Sequence, residues 1–347
     1  MYHSLKVAQV DQVTTDAIAV KFEIPSSLQS AFKFIPGQFL GLRATVNGEE
    51  LRRSYSICSS PASGEIQVAI KRVEGGKFSS WATKELKPGA VLDVAEPSGR
   101  FTVSCLSNNQ RNYVFVAAGS GITPVMSMVR SVLVEEPLSK VILLYGNKSP
   151  EDAIFKNELE ALQTKHQERF SLKFVYSRSG ASEFKRIAPD LIQQEVASVL
   201  PWSEVYGLYL CGPQQMIEAT KNHLPSVTEL GSEQIHFELF QVDSKAASSA
   251  EQTDFEKAKV TVTIDEVEYT FEVKAGTDIL SSGLEAGIDI PYSCQGGVCG
   301  TCECKVEKGA VELNQNMVLS DEEVEEGQAL ACQAVPKTPE VKLYFGF

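Results

Sequence analysis

The first part of the chain alternates apolar and polar residues with the period of two that half-buried strands show. This alternation is clearest at residues 5–10, 17–22 and 66–71, and Pro-Gly and Asn-Gly pairs lie between such runs. Those pairs are typical of tight turns. Several short strands joined by turns predict an antiparallel β-barrel or sandwich, which we assign to residues 1–108.

From residue 109 to 243 the pattern changes to short apolar runs that alternate with helical stretches. The apolar runs lie at 113–118, 141–145, 172–176 and 206–211. Strand–helix alternation of this kind predicts βαβ units and a parallel sheet. Ser149 and Pro150, followed by two acidic residues, predict a helix from residue 151 to about 166.

A polar segment rich in Ser and Ala, residues 244–257, indicates a flexible linker. After it the strand pattern restarts at 260–264 and 269–273, and a helix is predicted near 279–286. Residues 258–347 are therefore expected to form a third domain of mixed α+β structure. The expected fold is multidomain: an antiparallel β-barrel, an α/β parallel-sheet domain and a small α+β domain.

Charge is unevenly distributed along the 347 residues. The chain has a net charge of −13, and residues 258–347 alone hold 16 acidic and 6 basic side chains. An acidic balance disfavours binding to nucleic acid or to anionic membranes. The acidic C-terminal part suggests a docking surface for a basic partner or, equally, a solubilising face. With no apolar run near the roughly 18 residues of a membrane span and no signal-like N-terminus, we expect a cytoplasmic protein.

Four of the eight cysteines have the spacing of an iron–sulfur site. Cys294, Cys299 and Cys302 form C-x4-C-x2-C, and Cys332 follows Cys302 after 29 intervening residues. This is the plant-type ligand spacing for a [2Fe–2S] cluster. The glycines inside the loop allow the chain to curl and its N–H groups to approach the sulfurs. Zinc is the rival interpretation, but it favours paired C-x2-C units, and only one is present.

Cys304 lies two residues after Cys302 and is not needed for this pattern. We interpret it as a buried free thiol.

Two motifs in the barrel segment suggest flavin binding. Arg53-Ser54-Tyr55-Ser56 offers an Arg for a pyrophosphate and a Tyr for a flat ring, and Gly75-Gly76-Lys77-Phe78-Ser79 offers free N–H groups before a helix. Each motif is weak alone.

In the second segment, Gly119-Ser120-Gly121-Ile122-Thr123-Pro124 follows a strand and opens a helix, which suits a dinucleotide pyrophosphate. Thr123 is expected to cap that helix. A Cys211-Gly212-Pro213 sequence ends the last strand run, at the sheet edge where α/β domains bind ligands.

In this order, the motifs resemble the ferredoxin–NADP reductase family, and the cysteine loop resembles plant-type ferredoxin. Their fusion resembles the reductase components of multicomponent oxygenases. The resemblance implies that FAD is bound by the Arg53–Ser56 motif and the Gly75–Ser79 motif, together with Ile70 and Lys71. It implies that the nucleotide is bound by Gly119, Ser120, Gly121, Thr123, Pro124, Gly212 and Pro213. The small domain would be a β-grasp ferredoxin domain with Cys294, Cys299, Cys302 and Cys332 as cluster ligands.

Three residues receive catalytic roles from the resemblance. Ser56 is expected near the reactive ring nitrogen of the flavin, and Cys211 beside the nicotinamide. Glu238 is expected to assist the geometry of proton and hydride transfer. Phe240 is similar to the terminal aromatic that covers the flavin in the plant enzymes. Because this chain continues into a linker, a core strand position is the equal alternative for Phe240.

Nucleotide preference is predicted from Ser177-Arg178, which resembles a pair that grips the 2′-phosphate of NADPH. Lys185 and Arg186 could add charge. We expect NADPH, with NADH as the alternative.

The predicted activity is electron transfer from NADPH through FAD and a [2Fe–2S] cluster to an external oxygenase, because a flavin converts two-electron into one-electron transfer. The oxygenase could be of the diiron or of the Rieske type. A protein of another class, an electron-transfer module that does not oxidise the nucleotide itself, is the remaining alternative.

Overall fold

The structure, a computed structural model, describes residues 2–178, 186–240 and 255–346. The chain divides into two compact units, Met1–Glu238 and Leu239–Phe347. Lys185 and most of the predicted linker, residues 244–254, lie outside the described residues. In the described part of the chain, no helix is long and apolar enough to cross a membrane.

The first unit begins with a curled antiparallel sheet of six strands, as the alternation predicts. The strands pair in the order β4-β3-β6-β1-β2-β5. Their side chains enclose a core that includes Leu5, Val20, Leu40 and Val68, each fully buried. The elements are β1 (Tyr2–Thr14), β2 (Ala17–Glu23), β3 (Phe39–Val46), β4 (Glu49–Ser56), β5 (Ile66–Lys71), α1 (Lys77–Glu85) and β6 (Val91–Ala95).

The same unit continues with a five-stranded parallel sheet, which confirms the predicted α/β domain. Its strands pair in the order β11-β10-β7-β8-β9. The elements are β7 (Asn112–Ala118), α2 (Ile122–Glu135), β8 (Lys140–Asn147), α3 (Lys156–Lys165), β9 (Phe170–Tyr176), α4 (Pro189–Ala197), β10 (Val205–Cys211), α5 (Gln214–Val227) and β11 (Ile235–Glu238). All carboxyl ends of the strands therefore meet at one edge of the sheet, where ligands of such sheets bind.

The helix predicted from residue 151 begins later than expected. Pro150–Asp152 form a single 3-10 turn, and α3 starts only at Lys156. Phe155, just before α3, has φ +62° and is buried, so the left-handed residue separates the turn from the helix. The N-cap residue Ser149 donates its hydroxyl to the Asp152 carboxylate at 3.0 Å instead of capping the backbone.

Thr123 also differs from its predicted role as a helix cap. Gly119–Gly121 form a 3-10 turn, and α2 begins at Ile122, so Thr123 already lies inside the helix. Its hydroxyl donates to the Ser120 carbonyl oxygen at 3.1 Å. Thr123 therefore tightens the turn before α2, and the Ile122 N–H, which donates to the Gly119 and Ser120 carbonyl oxygens, closes it further.

The second unit is a five-stranded mixed sheet with two short helices and a separate two-stranded antiparallel sheet. Its strands pair in the order β13-β12-β18-β14-β16, and β12 and β18 are parallel. Ser320 and Glu323 form a capping box at the start of α7. The elements are β12 (Lys257–Ile264), β13 (Val267–Lys274), α6 (Ile279–Glu285), β14 (Glu303–Lys308), β15 (Val311–Leu313), α7 (Asp321–Glu325), β16 (Gln328–Leu330), β17 (Ala334–Pro336) and β18 (Glu340–Phe345).

Candidate functional site

The Arg-Ser-Tyr-Ser motif forms the end of β4 and presents its side chains in different directions. Arg53 is exposed and donates to the Arg52 carbonyl oxygen at 2.6 Å. Tyr55 lies against the ring of Phe78, with centroids 5.7 Å apart. Burial raises the pKa of Tyr55, so its hydroxyl stays neutral and its ring acts as a flat surface. Ser56 is buried at the end of the strand.

The Gly-Gly motif forms a tight turn before α1. Gly75 has φ +73°, and a side chain on Gly76 would come within 2.7 Å of Ser79 Oγ. That Ser79 hydroxyl accepts from the Val73 N–H at 3.1 Å, which holds the turn closed. The turn leads directly into α1, which begins at Lys77 without a side-chain cap, and N–H groups at such a helix start can bind phosphate.

Other predicted flavin residues take supporting positions around this turn. Lys77 is the first residue of α1 and pairs with Glu49 at 2.5 Å. Ile70 is fully buried in the barrel core, so its side chain offers no binding surface, and Lys71 is half-buried at the end of β5.

The glycine turn between β7 and α2 packs directly on the end of β10. A Cβ on Gly121 would lie 2.1 Å from the Cys211 carbonyl oxygen, and one on Gly212 would lie 2.7 Å from Met216 Cε. Gly119 has φ +57°, and its carbonyl oxygen accepts from the Tyr145 hydroxyl at 3.0 Å. Two strand ends are brought together here because no side chain separates them, which leaves a cradle for a dinucleotide. Ser120, inside the turn, and Pro213, before α5, line the same edge of the sheet.

The structure brings the three predicted catalytic residues together. Ser56 from the barrel is hydrogen-bonded to the Glu238 carboxyl group, and Glu238 lies opposite Cys211 in the pairing of β11 with β10. Glu238 Oε2 is buried and has no hydrogen-bond partner among the described residues. An unpartnered buried oxygen of this kind fits a site that a flavin and a nicotinamide complete.

Burial controls the protonation of this group of residues. It raises the pKa of Glu238 to about 8, and the hydrogen bond from Ser56 opposes the shift only partly. Burial, followed by the nearby Glu238, raises the pKa of Cys211 well above its usual value. Near neutral pH the site therefore holds a neutral thiol and a protonated carboxyl group.

The predicted 2′-phosphate pair follows β9 at the edge of the sheet. The Ser177 N–H donates to the Asn147 carbonyl oxygen at 3.0 Å, and the Arg178 N–H donates to the Lys148 carbonyl oxygen at 2.9 Å. The Arg178 side chain is exposed. Phe240, by contrast, belongs to the second unit, where 40% of its surface is exposed.

In the second unit, the four predicted ligand cysteines converge. The Cys294 thiol is within hydrogen-bonding distance of the Cys299 and Cys332 thiols, and the Cys332 thiol is also within reach of Cys302. Across the described residues, no set of three or more His, Cys, Asp or Glu side chains has the arrangement of a single-metal site. Four convergent thiols with the C-x4-C-x2-C spacing fit a two-iron cluster better than zinc.

The loop curls because several of its residues adopt left-handed backbone conformations. Gln295, Gly297 and Gly300 have φ of +57°, +69° and +73°. The Gly296 N–H points at Cys294 Sγ from 3.4 Å, and Gln333 Nε2 lies 3.7 Å from Cys332 Sγ. These donors suit sulfurs that carry negative charge.

Cys304 is fully buried on β14, and its thiol donates to the Ala329 carbonyl oxygen at 3.5 Å. Burial raises its pKa well above the usual value. Its environment is that of a buried free thiol.

Sequence reasoning did not single out three polar residues of α2. Ser127, Arg130 and Ser131 contact the segment that follows β4 in the barrel. The available signal was their i, i+3, i+4 spacing in an otherwise apolar helix, which places them on one face.

Three family models match the chain in succession. An oxidoreductase FAD-binding domain matches residues 4–103, an oxidoreductase NAD-binding domain matches 115–222, and a 2Fe-2S iron-sulfur cluster binding domain matches 262–337. The cofactor classes predicted from the motifs are confirmed.

Relatives match over nearly the whole chain. A subunit of the 1,2-phenylacetyl-CoA epoxidase of Escherichia coli K12 is 36% identical, with 99% of this chain and 98% of the relative covered. The ferredoxin reductase component of 3-ketosteroid-9-alpha-monooxygenase from Rhodococcus rhodochrous is 32% identical, with 98% and 96% covered. The glycine betaine monooxygenase reductase subunit of Pseudomonas aeruginosa is 31% identical, with 96% and 93% covered.

Among solved structures, phthalate dioxygenase reductase has a similar fold. It aligns with a TM-score of 0.60 at 24% identity and covers 99% of this chain and 98% of its own. An intact type IV self-sufficient cytochrome P450 monooxygenase aligns with a TM-score of 0.69 at 23% identity, and 41% of that longer chain is covered. Both matches confirm the predicted order of folds.

Proposed function

This chain belongs to the family of FAD- and [2Fe–2S]-containing reductase components of oxygenases, and from that membership we propose which of its residues carry the electron transfer. It is an oxidoreductase that takes electrons from a nicotinamide nucleotide and delivers them to an oxygenase. One observation carries the residue-level proposal: Ser56, Cys211 and Glu238 come from separate segments and meet at one buried point.

FAD is held by the barrel. Arg53 would contact its phosphates, Tyr55 would lie on its ring system, and the turn at Gly75–Gly76 with the start of α1 would bind the pyrophosphate through N–H groups. The closed turn, fixed by the Val73–Ser79 hydrogen bond, and the neutral Tyr55 ring support this assignment.

The bound flavin would supply the conversion of a two-electron donor into a one-electron source. The protein's own residues orient the reacting groups and hold or release protons beside them. Ser56 donates to Glu238 and so fixes the carboxyl group, and Glu238 with a pKa of about 8 can hold or release a proton at Oε2 near neutral pH. Cys211, neutral and buried, excludes water from the space beside it.

The nucleotide lies along the carboxyl edge of the parallel sheet. Its pyrophosphate is bound at the turn Gly119–Gly121, where Gly121 meets Cys211 and Gly212 without an intervening side chain. We assign the 2′-phosphate of NADPH to Ser177 and Arg178, since Arg178 is exposed at that edge.

Cys294, Cys299, Cys302 and Cys332 ligate the cluster. Their mutual contacts and the N–H groups directed at their sulfurs support this assignment. A thiolate-held cluster is also best preserved in a reducing compartment, which supports a place in the cytoplasm.

The electron acceptor we favour is the oxygenase part of a 1,2-phenylacetyl-CoA epoxidase. The full-length match to a subunit of that enzyme supports this choice. The full-length matches to reductases of the ketosteroid and glycine betaine monooxygenases make those oxygenases the second candidates.

Reconstitution tests the acceptor. The purified reductase would be mixed with NADPH and, in parallel, with the oxygenase components of each of the three relatives. We expect the fastest substrate-dependent NADPH oxidation with the epoxidase. Equal or faster turnover with another oxygenase would overturn this choice, while dye reduction by NADPH serves as the control for an intact reductase.

A further inference from the structure

Helix α2 connects the two halves of the first unit in a way that the binding motifs do not explain. Its N-terminus follows the glycine turn assigned to the nucleotide, and its middle turn contacts the barrel at residues 58–60. Residues 58–60 come shortly after Ser56, the end of the flavin strand β4. One helix thus touches both binding regions.

The contacts are specific and largely buried. The Ser127 hydroxyl donates to the Ser59 carbonyl oxygen at 2.6 Å, and both residues are buried. Ser131 Oγ lies 3.1 Å from Ser60 Oγ. If the two elements moved relative to each other, these buried hydrogen bonds would break and leave polar groups unsatisfied. The bonds therefore favour one relative position of α2 and the barrel segment.

Arg130 adds a charged contact between the same elements. Its guanidinium donates to the Cys58 carbonyl oxygen, and Nε and Nη2 hold both carboxylate oxygens of Glu158 at 2.8 and 2.6 Å. The bidentate salt bridge with Glu158 fixes the plane of the Arg130 guanidinium, so its hydrogen bond to the Cys58 carbonyl oxygen has a defined direction. We call Ser127, Arg130 and Ser131 the α2 latch.

The residue directly after the C-terminus of α2 is hydrogen-bonded to the segment that connects the barrel to the parallel sheet. Glu136, fully buried, accepts from Asn109 Nδ2 at 2.6 Å and from the Leu106 N–H at 3.2 Å. The turn at Gly37 packs so closely on α2 that a side chain there would come within 2.4 Å of Met128 Cε. The helix is therefore fastened to barrel-side segments along most of its length.

We propose that the α2 latch sets the position of the nicotinamide relative to the flavin, and that Ser127, Arg130 and Ser131 are positioning residues for hydride transfer. Ser127 lies six positions after Gly121, about 9 Å along a helix, and Ser59 lies three positions after Ser56. The path from nucleotide turn to flavin strand is therefore short and rigid. Domains joined by weaker contacts move by default, and a shift of 1 Å can lower a hydride-transfer rate by roughly 100-fold.

This inference rests on the proposed function, because it needs FAD at β4 and the nucleotide at the α2 turn. The test compares Ser127→Ala and Arg130→Lys with Thr220→Val. Thr220 is also a fully buried hydroxyl on a helix of the same unit, but it donates to the Met216 carbonyl oxygen of its own helix at 2.7 Å, and among the described residues it has no hydrogen bond to a second element. Arg130→Lys keeps the charge, loses the planar fork and is only partly buried, so it provides a second variant if Ser127→Ala folds poorly.

Two readouts are needed. The first is amide hydrogen exchange at residues 57–60 without nucleotide, which we expect to accelerate about tenfold in both latch variants and not in Thr220→Val. The second is the single-turnover rate of flavin reduction per bound flavin, with the dissociation constant for NADPH measured in parallel. We expect that rate to fall about tenfold while the dissociation constant changes less than twofold.

Unchanged reduction rates in variants with faster exchange would show that the latch is only structural and would overturn the proposal. Unchanged exchange would overturn it as well, since the contacts would then not hold the segment. A wild-type flavoprotein that NADPH does not reduce would instead contradict the proposed function, so the two failures are distinguishable.

Discussion

The hydride site of the first unit and the cysteine site of the second place ionisable groups among different neighbours. Cys211 and Glu238 are buried where little opposes desolvation, so both pKa values rise and both groups are neutral near pH 7. The four ligand cysteines contact one another, and the Gly296 N–H points at Cys294 Sγ. The first environment keeps both groups protonated, which suits proton and hydride chemistry, and the second brings four sulfurs together, which suits an iron–sulfur cluster.

The two sites also differ in how the chain builds them. Three cluster ligands lie within nine residues, and left-handed positions such as Gly297 and Gly300 shape their loop. The hydride site joins Ser56, Cys211 and Glu238, which are far apart in the sequence and meet only because β10 pairs with β11 beside the barrel. We therefore expect a single substitution in the loop to abolish the cluster. Substitutions at the hydride site should instead lower the rate of flavin reduction by different factors.

The largest expected effect is at the loop. Cys299→Ser should abolish the [2Fe–2S] absorption and electron delivery to an oxygenase, because oxygen replaces one of four sulfur ligands. NADPH-driven dye reduction should remain near the wild-type rate. The matched control is Cys304→Ala, which removes a buried thiol two residues from Cys302. Loss of the cluster in Cys304→Ala with retention in Cys299→Ser would reverse the ligand assignment.

Glu238→Gln should have the next largest effect. Removing the proton-holding group should slow flavin reduction about 100-fold. In the wild type the rate should follow a group with a pKa of about 8, and this dependence should vanish in the variant. Single-turnover kinetics across pH 6–9 measure both, and a variant that keeps the pH profile would exclude Glu238.

The same carboxyl group should affect stability in a defined direction. Burial raises its folded pKa above that of the unfolded chain, so protonated Glu238 favours the folded state at low pH. This stabilisation is complete below the unfolded pKa and is lost as pH rises through about 8. Thermal melts should therefore show a smaller fall between pH 5 and 8 in Glu238→Gln than in the wild type.

Arg178→Ala should act on one substrate only. The loss of a charge-assisted contact to a phosphate should raise KM about tenfold for NADPH and leave KM for NADH nearly unchanged. Steady-state dye reduction with both nucleotides measures the ratio. Equal effects on the two would remove Arg178 from the 2′-phosphate site.

The smallest effect tests whether the two units are independent. Ser320→Ala removes the capping hydroxyl that accepts from the Glu323 N–H at 3.2 Å, which should cost about 1 kcal/mol and lower the melting temperature of the second unit by about 5 °C. Flavin reduction by NADPH should be unchanged. A matching loss in that rate would show that the units are coupled.

Local features were the most predictable from the sequence. The alternating strands of the barrel and the buried strands of the parallel sheet follow from the period of their apolar residues. The predicted start of α3 was wrong because Phe155 takes a left-handed conformation that tertiary burial stabilises. Thr123 was predicted as a cap, but the glycine turn before it is a 3-10 turn that moves it into the helix.

Long-range features could be predicted only through resemblance. No local pattern indicates that Ser56 meets Glu238, or that burial raises the pKa of that carboxyl group to about 8. The α2 latch escaped prediction because polar residues at helical spacing do not reveal their partners, here Cys58, Ser59 and Ser60.

The most direct test of the whole account is the visible spectrum of anaerobically purified protein during titration with NADPH. We predict that the flavin band and the broader iron–sulfur absorption both bleach, since electrons pass from nucleotide to flavin to cluster. An NADPH titration that leaves the flavin oxidised would contradict the account.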